Sequence, residues 1–178
     1  MLGQNPDFRY FLAARTTSIL GTWVTVTALV LYLEETGVSA SAVGALLLAK
    51  ALPQALGPLA GTVSDRVDGR RLMVWCDLGQ AALVALVAFF LPPLFVLVGL
   101  IAAASTFATL FLPAGRSAIP KLVGPDDLTS ANALMASSSN LSFAIGPVLG
   151  GLLIATMGIR TALLFDAVTF LCETPSTG

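Results

Sequence analysis

The chain has 178 residues, of which 56% are hydrophobic and 11% charged; its net charge is −1 and its mean hydropathy +0.89. A soluble domain carries roughly a quarter charged residues, so the composition excludes a water-solvated globule, and it lacks the basic surface of a nucleic-acid binder. Histidine is absent and the two cysteines have no metal-ligand spacing, so no metal site and no imidazole chemistry is expected.

The charges are bunched. None falls between Asp77 and Arg116, an interval long enough for two spans of about 20 residues each, and "LPPL" at 91–94 divides them. Apolar segments of this length predict an all-α membrane protein, since barrel strands are far shorter. In chain order, spans are expected at about 11–33, 41–64, 72–91, 94–119 and 134–156. A partial sixth, 162–172, reads "ALLFDAVTFLC" before "ETPSTG". Roughly ten apolar residues cannot cross a bilayer, so the sixth helix is expected to be truncated and the chain cut short. The first twenty residues carry acidic and polar groups ahead of the apolar run, which argues against a cleavable signal. Cys76 and Cys172, both in apolar segments, are expected to pack as small hydrophobes.

Orientation follows from the basic residues. Arg9, Arg15, Arg66, Arg70, Arg71, Arg116 and Lys121 all fall on one side if the helices alternate, while the opposite loops hold Glu34, Glu35 and a single Arg160. The excess of positive charge predicts a cytoplasmic N-terminus.

The chain also repeats itself. An offset of 89 residues pairs Gly57, Pro58 and Gly61 of "GPLAG" with Gly146, Pro147 and Gly150 of "GPVLG". The same offset pairs Arg71 with Arg160 and Asp77 with Asp166. Three helices per copy turns the second copy upside down, the inverted repeat of secondary transporters.

Three stretches carry a family resemblance. "GTVSDRVDGRRLM", 61–73, resembles the signature between helices two and three of the major facilitator superfamily, through Gly61, Asp65, Arg66, Arg70 and Arg71. The usual turn glycine falls on Asp68 and the following basic residue on Gly69, so the turn departs from the pattern. "SFAIGPVLGG", 142–151, resembles the superfamily's antiporter motif through Gly146, Pro147, Gly150 and Gly151, with Ser142 where a further glycine is usual. "FLPAGRSAIPKLVGPDDLTSANAL", 111–134, looks like the drug-exporter branch that includes macrolide-efflux and enterobactin-exporter-like proteins, and "FDAVTFL" matches the start of that branch's sixth helix. The arginine motif that many relatives carry within the fourth helix is absent.

The resemblance implies a six-helix bundle built as a 3+3 inverted repeat, the first half of a twelve-helix transporter. It implies that Asp65, Arg66, Arg70 and Arg71 form a cytoplasmic charge latch; the alternative is that the arginines only fix topology. Gly57, Pro58, Gly61, Gly146, Pro147, Gly150 and Gly151 are then hinge or packing positions, since GxxxG permits close helix approach and proline invites a bend. Ordinary small-residue packing is the competing reading.

Charge inside a span is costly and marks function. Lys50, near mid-span, is the first candidate, against a lysine that snorkels to an interface. Asp77 and Asp166 are expected in the first turns of helices three and six, where the helix N-terminus favours an acid, and Arg15 at the edge of helix one. Thr22, Thr25, Ser105 and Thr109 are cavity-lining candidates by resemblance; such hydroxyls otherwise bond back to their own helix.

The function these readings imply is export of drug-like or siderophore-like small molecules by alternating access. Proton antiport would supply the energy and no cofactor is expected. The partners implied are the lipid bilayer, a small-molecule substrate and a C-terminal six-helix half. The alternative is a non-transporting truncated membrane protein or a helix-packing interaction subunit. An enzyme is not expected, for want of a nucleophile–base pair.

Overall fold

Proline costs no hydrogen bond in a first helical turn, and the first helix, α1, begins at one: it runs Pro6–Glu35. The structure, a computed structural model, describes residues 6–64 and 66–173. Gly37 ends α1 in the left-handed region, φ +68°; its N–H donates to the Glu34 carbonyl at 3.1 Å and that of Val38 to the Leu33 carbonyl at 3.3 Å. Glycine enters that region without a Cβ penalty and so frees the chain to cap its own last carbonyls.

The second span is not one helix. α2 (Ala40–Ala51) passes into a five-residue 3-10 segment, Leu52–Leu56, and then into α3 (Gly57–Ser64). Pro53 and Pro58 cannot donate to the carbonyls one turn back, so the i to i−4 ladder fails on both sides of the segment. The span expected at about 41–64 is present, as two helices joined by a 3-10 segment.

α4 (Gly69–Phe90) ends on Leu91, itself left-handed at φ 40°, whose N–H reaches the Val87 carbonyl at 2.8 Å. α5 (Leu94–Leu122) starts directly after Pro93. A short 3-10 turn, Pro125–Asp127, leads into α6 (Leu128–Met157), and Gly158 alone, at φ +81°, separates α6 from α7 (Ile159–Glu173). α6 starts well ahead of the apolar run at Leu134, because its first turn is held by tertiary packing: Ala131 is buried against Phe8, Phe11 and Ile119. α4 and α7 also begin about three residues before their apolar runs.

The helices pair in a pattern. α1 packs on α6 and α7, α5 packs on α2, α3 and α4, and α4 packs on α7. Exchanging the first three spans with the last three turns the α1 pairings into the α5 pairings and leaves the α4–α7 pairing unchanged, which is the contact pattern expected of an inverted repeat. The main core joins Val24, Ala28 and Leu29 of α1 with Leu46, Val87, Leu97 and Leu163 from four other helices.

Outside, apolar side chains face away: Phe95 is 91% exposed, Phe90 74% and Val148 70%. Water would solvate such a surface poorly, whereas lipid tails solvate it well. Among the described residues five spans are long and apolar enough to cross a bilayer, with α2, the 3-10 segment and α3 counting as one. The molecule is an all-helical, multi-pass membrane protein. Cys76 is buried in a small cluster with Met73, Phe111 and Ala114, whereas Cys172 is exposed, contrary to expectation.

Candidate functional site

Polar side chains from α1, α4, α5 and α7, together with α2 and the 3-10 segment, converge on a cavity of about 190 Å³ at the bundle centre. Arg15, Lys50, Gln54, Gln80 and Asp166 supply its charged and amide groups, and Thr22, Thr25 and Ser105 its hydroxyls. Lys50 lies ten residues past the start of α2, about 15 Å along the axis. Its ammonium stands 5.5 Å from the ring centroid of Trp23, an aromatic face that attracts a cation. Trp23 is itself held edge-on by Phe143, with ring centroids 4.6 Å apart. Asp166 is within electrostatic reach of Lys50.

The backbone of α1 makes room for Asp166. A Cβ on Gly21 would stand 2.5 Å from Thr169 Oγ1 and 2.6 Å from Asp166 Oδ1, so only glycine lets α7 lie this close. Thr169 in turn donates to the Asp166 carbonyl at 2.7 Å.

A second charged group lies nearer the end of the bundle that carries the chain's N-terminus. The Arg15 guanidinium donates to Glu173 Oε1 at 3.3 Å and covers the Phe111 ring at 4.4 Å from its centroid. Asp77 is wholly buried within electrostatic reach of both Arg15 and Glu173. Among the described residues neither Asp77 oxygen has a hydrogen-bond partner. Arg15 also lines a second cavity, of about 370 Å³, between α1, α5 and α6.

Several expectations change. Asp77 and Asp166 stand eight and seven residues past the first residues of α4 and α7, beyond the turn in which a helix N-terminus acts. Thr109 donates to the Ser105 carbonyl at 2.8 Å and lines a separate groove of about 690 Å³ with Gly57 and Arg116. Thr22 lines the central cavity but returns its hydroxyl to the Ser18 carbonyl.

In the loop before α4, Asp65 lies outside the described residues. Arg66, Arg70 and Arg71 are exposed. The helix-capping acid there is Asp68, which accepts from the Arg71 N–H at 3.0 Å. That hydrogen bond holds the Asp68 carboxyl below the usual carboxylate range.

The glycines of the repeat divide. A Cβ on Gly146 would collide with Trp23, and one on Gly150 would lie 3.1 Å from both Thr27 Cβ and the Val24 carbonyl, so this pair seats α6 on α1. At Gly57, Gly61 and Gly151 an added Cβ meets nothing within 4 Å. Pro58 and Pro147 are exposed.

Glu173, Phe111, Trp23, Gln54, Gln80 and Gly21 escaped the sequence reading. Glu173 was legible in part, as it follows Asp166 by seven residues and so shares a helix face with it. Gly21 gives no signal until α7 is seen against it.

The family model described as the Major Facilitator Superfamily matches residues 11–173. The uncharacterized MFS-type transporter YfiS of Bacillus subtilis (strain 168) is 32% identical over 161 residues, which is 89% of this chain and 38% of that protein. The multidrug efflux pump Tap of Mycolicibacterium fortuitum is 31% identical, covering 91% of this chain and 42% of its own length. Macrolide efflux protein A of Streptococcus pyogenes is 26% identical, covering 88% of this chain and 40% of its own. The chain therefore spans about two fifths of the length of these curated relatives.

Proposed function

The chain belongs to the major facilitator superfamily, and we propose that it serves, joined to a further bundle of helices, in the export of drug-like or siderophore-like small molecules by alternating access. The observation that carries this reading is the central cavity, in which Lys50 and Asp166 line one space walled by apolar helices. Such a chamber suits a largely apolar solute with a few polar groups: the hydrophobic lining binds it, and the charged pair orients it. Energy comes from an inward proton gradient exchanged against the solute. The names of two relatives, a multidrug efflux pump and a macrolide efflux protein, support export over import.

In this reading the protein sits in a bacterial plasma membrane with its N-terminus cytoplasmic. The loop formed by Asp65, Arg66, Asp68, Arg70 and Arg71 then closes the cytoplasmic face against the second bundle, and the bare Gly57–Gly61 face of α3 is the surface on which that bundle slides. The open face also favours one other reading, a helix-packing subunit that does not transport.

Reconstitution separates the two. The chain is placed in proteoliposomes alone and together with the C-terminal helices of Tap, and efflux of a fluorescent cationic dye is followed under an imposed pH gradient. The exporter reading expects dye movement in the combined preparation, abolished by collapsing the gradient. Dye movement absent there, with both pieces inserted and associated, leaves the packing-subunit reading; dye moved equally well by the chain alone removes the need for a second bundle.

A further inference from the structure

Arg15, Asp77 and Glu173 together hold two carboxyl groups and one guanidinium inside the bundle. The Arg15 guanidinium is committed at 3.3 Å to Glu173 Oε1 and stacked on Phe111. Asp77, 0% exposed, is left with neither oxygen hydrogen-bonded among the described residues. An ionised carboxylate with no donor is among the most unfavourable groups to bury, and the way to avoid that is to hold a proton.

Among the described residues the surroundings supply no second cation. α4 packs on α5 and α7. α5 carries no charge before Arg116, and α7 contributes the acids Glu173 and Asp166. On α4 itself the neighbours are the Cys76 thiol and Gln80, whose amide donates to the Cys76 carbonyl at 3.3 Å. Arg15, from α1, is the cation within reach. With one proton on the pair the trio is electrically neutral; without it, the trio carries one negative charge.

We propose that Arg15, Asp77 and Glu173 form a proton-binding site in which Asp77 carries the exchangeable proton while Arg15 is paired with Glu173. Release breaks the Asp77 O–H bond and passes the proton to water. The electron pair stays on the carboxylate, which then competes with Glu173 for the guanidinium. Arg15 lines both the central cavity and the cavity between α1, α5 and α6, so water filling either one meets the group whose choice of partner governs the proton. This deepens the exporter reading by naming where its coupling proton would sit, and rests on that reading for its purpose alone.

The test uses the purified chain in lipid nanodiscs, with no substrate and no transport, so a failure to export and a failure of this site are separate results. Infrared difference spectra between neutral and alkaline pH are compared for the wild type, Asp77→Asn and Arg15→Gln. The expected result is a protonated-carboxyl C=O band in the wild type at neutral pH, a loss of one component in Asp77→Asn, and a changed carboxyl band in Arg15→Gln, where Asp77 and Glu173 no longer share the guanidinium. A wild type without such a band, or an Asp77→Asn spectrum that keeps it undiminished, overturns the proposal. Should Asp77→Asn fail to insert, the wild type is treated with dicyclohexylcarbodiimide, which modifies protonated carboxyls in apolar surroundings, and the adduct is mapped by mass spectrometry. Modification of Asp77 that declines as pH rises supports the site; modification of another carboxyl with Asp77 intact sinks it.

Discussion

The two glycine–proline stretches match in sequence and differ in what they touch. Gly146 and Gly150 press α6 onto the backbone of α1, so close that side-chain atoms at either position would collide or crowd. Their repeat partners, Gly57 and Gly61, have open space where a Cβ would point, and the crossing of α3 with α5 leaves a groove of about 690 Å³ beside Gly57. Small residues spaced four apart permit close approach, yet they do not compel it. Whether a neighbour comes near depends on that neighbour, and here one copy of the motif has its partner in the chain and the other does not.

This contrast can be broken by substitution. Gly146→Leu should have the largest effect, about 3 kcal/mol, at the top of the range for overpacking, read as a lower unfolding midpoint in detergent. An unchanged midpoint means that the α1–α6 crossing is looser than described. Gly21→Ala comes next, at about 1–2 kcal/mol, since its methyl would meet Thr169 and Asp166. The same melting measurement checks it, and full stability would show α7 free to retreat. Gly57→Leu should change stability by less than about 0.5 kcal/mol, as for a surface position; a large loss would place an unseen contact at that face. Its effect on dye export in the combined preparation is a separate matter, and there a marked drop is expected.

The smallest effect lies at the cap of α4. Because Asp68 has its folded-state carboxyl held below the usual range by the Arg71 N–H, the carboxylate's contribution is fully present above the ordinary carboxylate range. It is lost as pH falls through the lowered folded value. The protection factor of the Arg71 amide, its exchange rate measured against that of an unstructured chain at the same pH, should therefore fall on acidification in the wild type. Asp68→Asn, which keeps an oxygen acceptor but cannot titrate, should flatten that dependence; an identical pH profile in both would show that the cap does not titrate.

Much of the architecture was legible because hydrophobic length and charge bunching are one-dimensional signals. The absence of charge from 78 to 115 foretold two spans, and the 89-residue offset foretold the exchange symmetry seen in the helix pairings. Helix starts were read late wherever polar residues lead the helix, as at Thr129 and Ser130 of α6. The break at Leu52–Leu56 was missed, since two prolines five residues apart say where the ladder fails and not what replaces it. Of the candidate site, Lys50, Asp166 and Arg15 were found as isolated anomalies of charge in apolar surroundings. Their grouping was not, because pairing Arg15 with Glu173 joins positions 158 apart in sequence.

The join between α6 and α7 is a single residue, Gly158. With so short a coupling the two helices act as arms of one lever. Any tilt of α6 as it rides on α1 at Gly146 and Gly150 passes through that fulcrum to Asp166, eight residues farther on and nested against Gly21 of the same helix α1. A strut bearing on α1 at both ends cannot rock one contact without loading the other, so the geometry of the charged cavity is mechanically in series with the glycine seat.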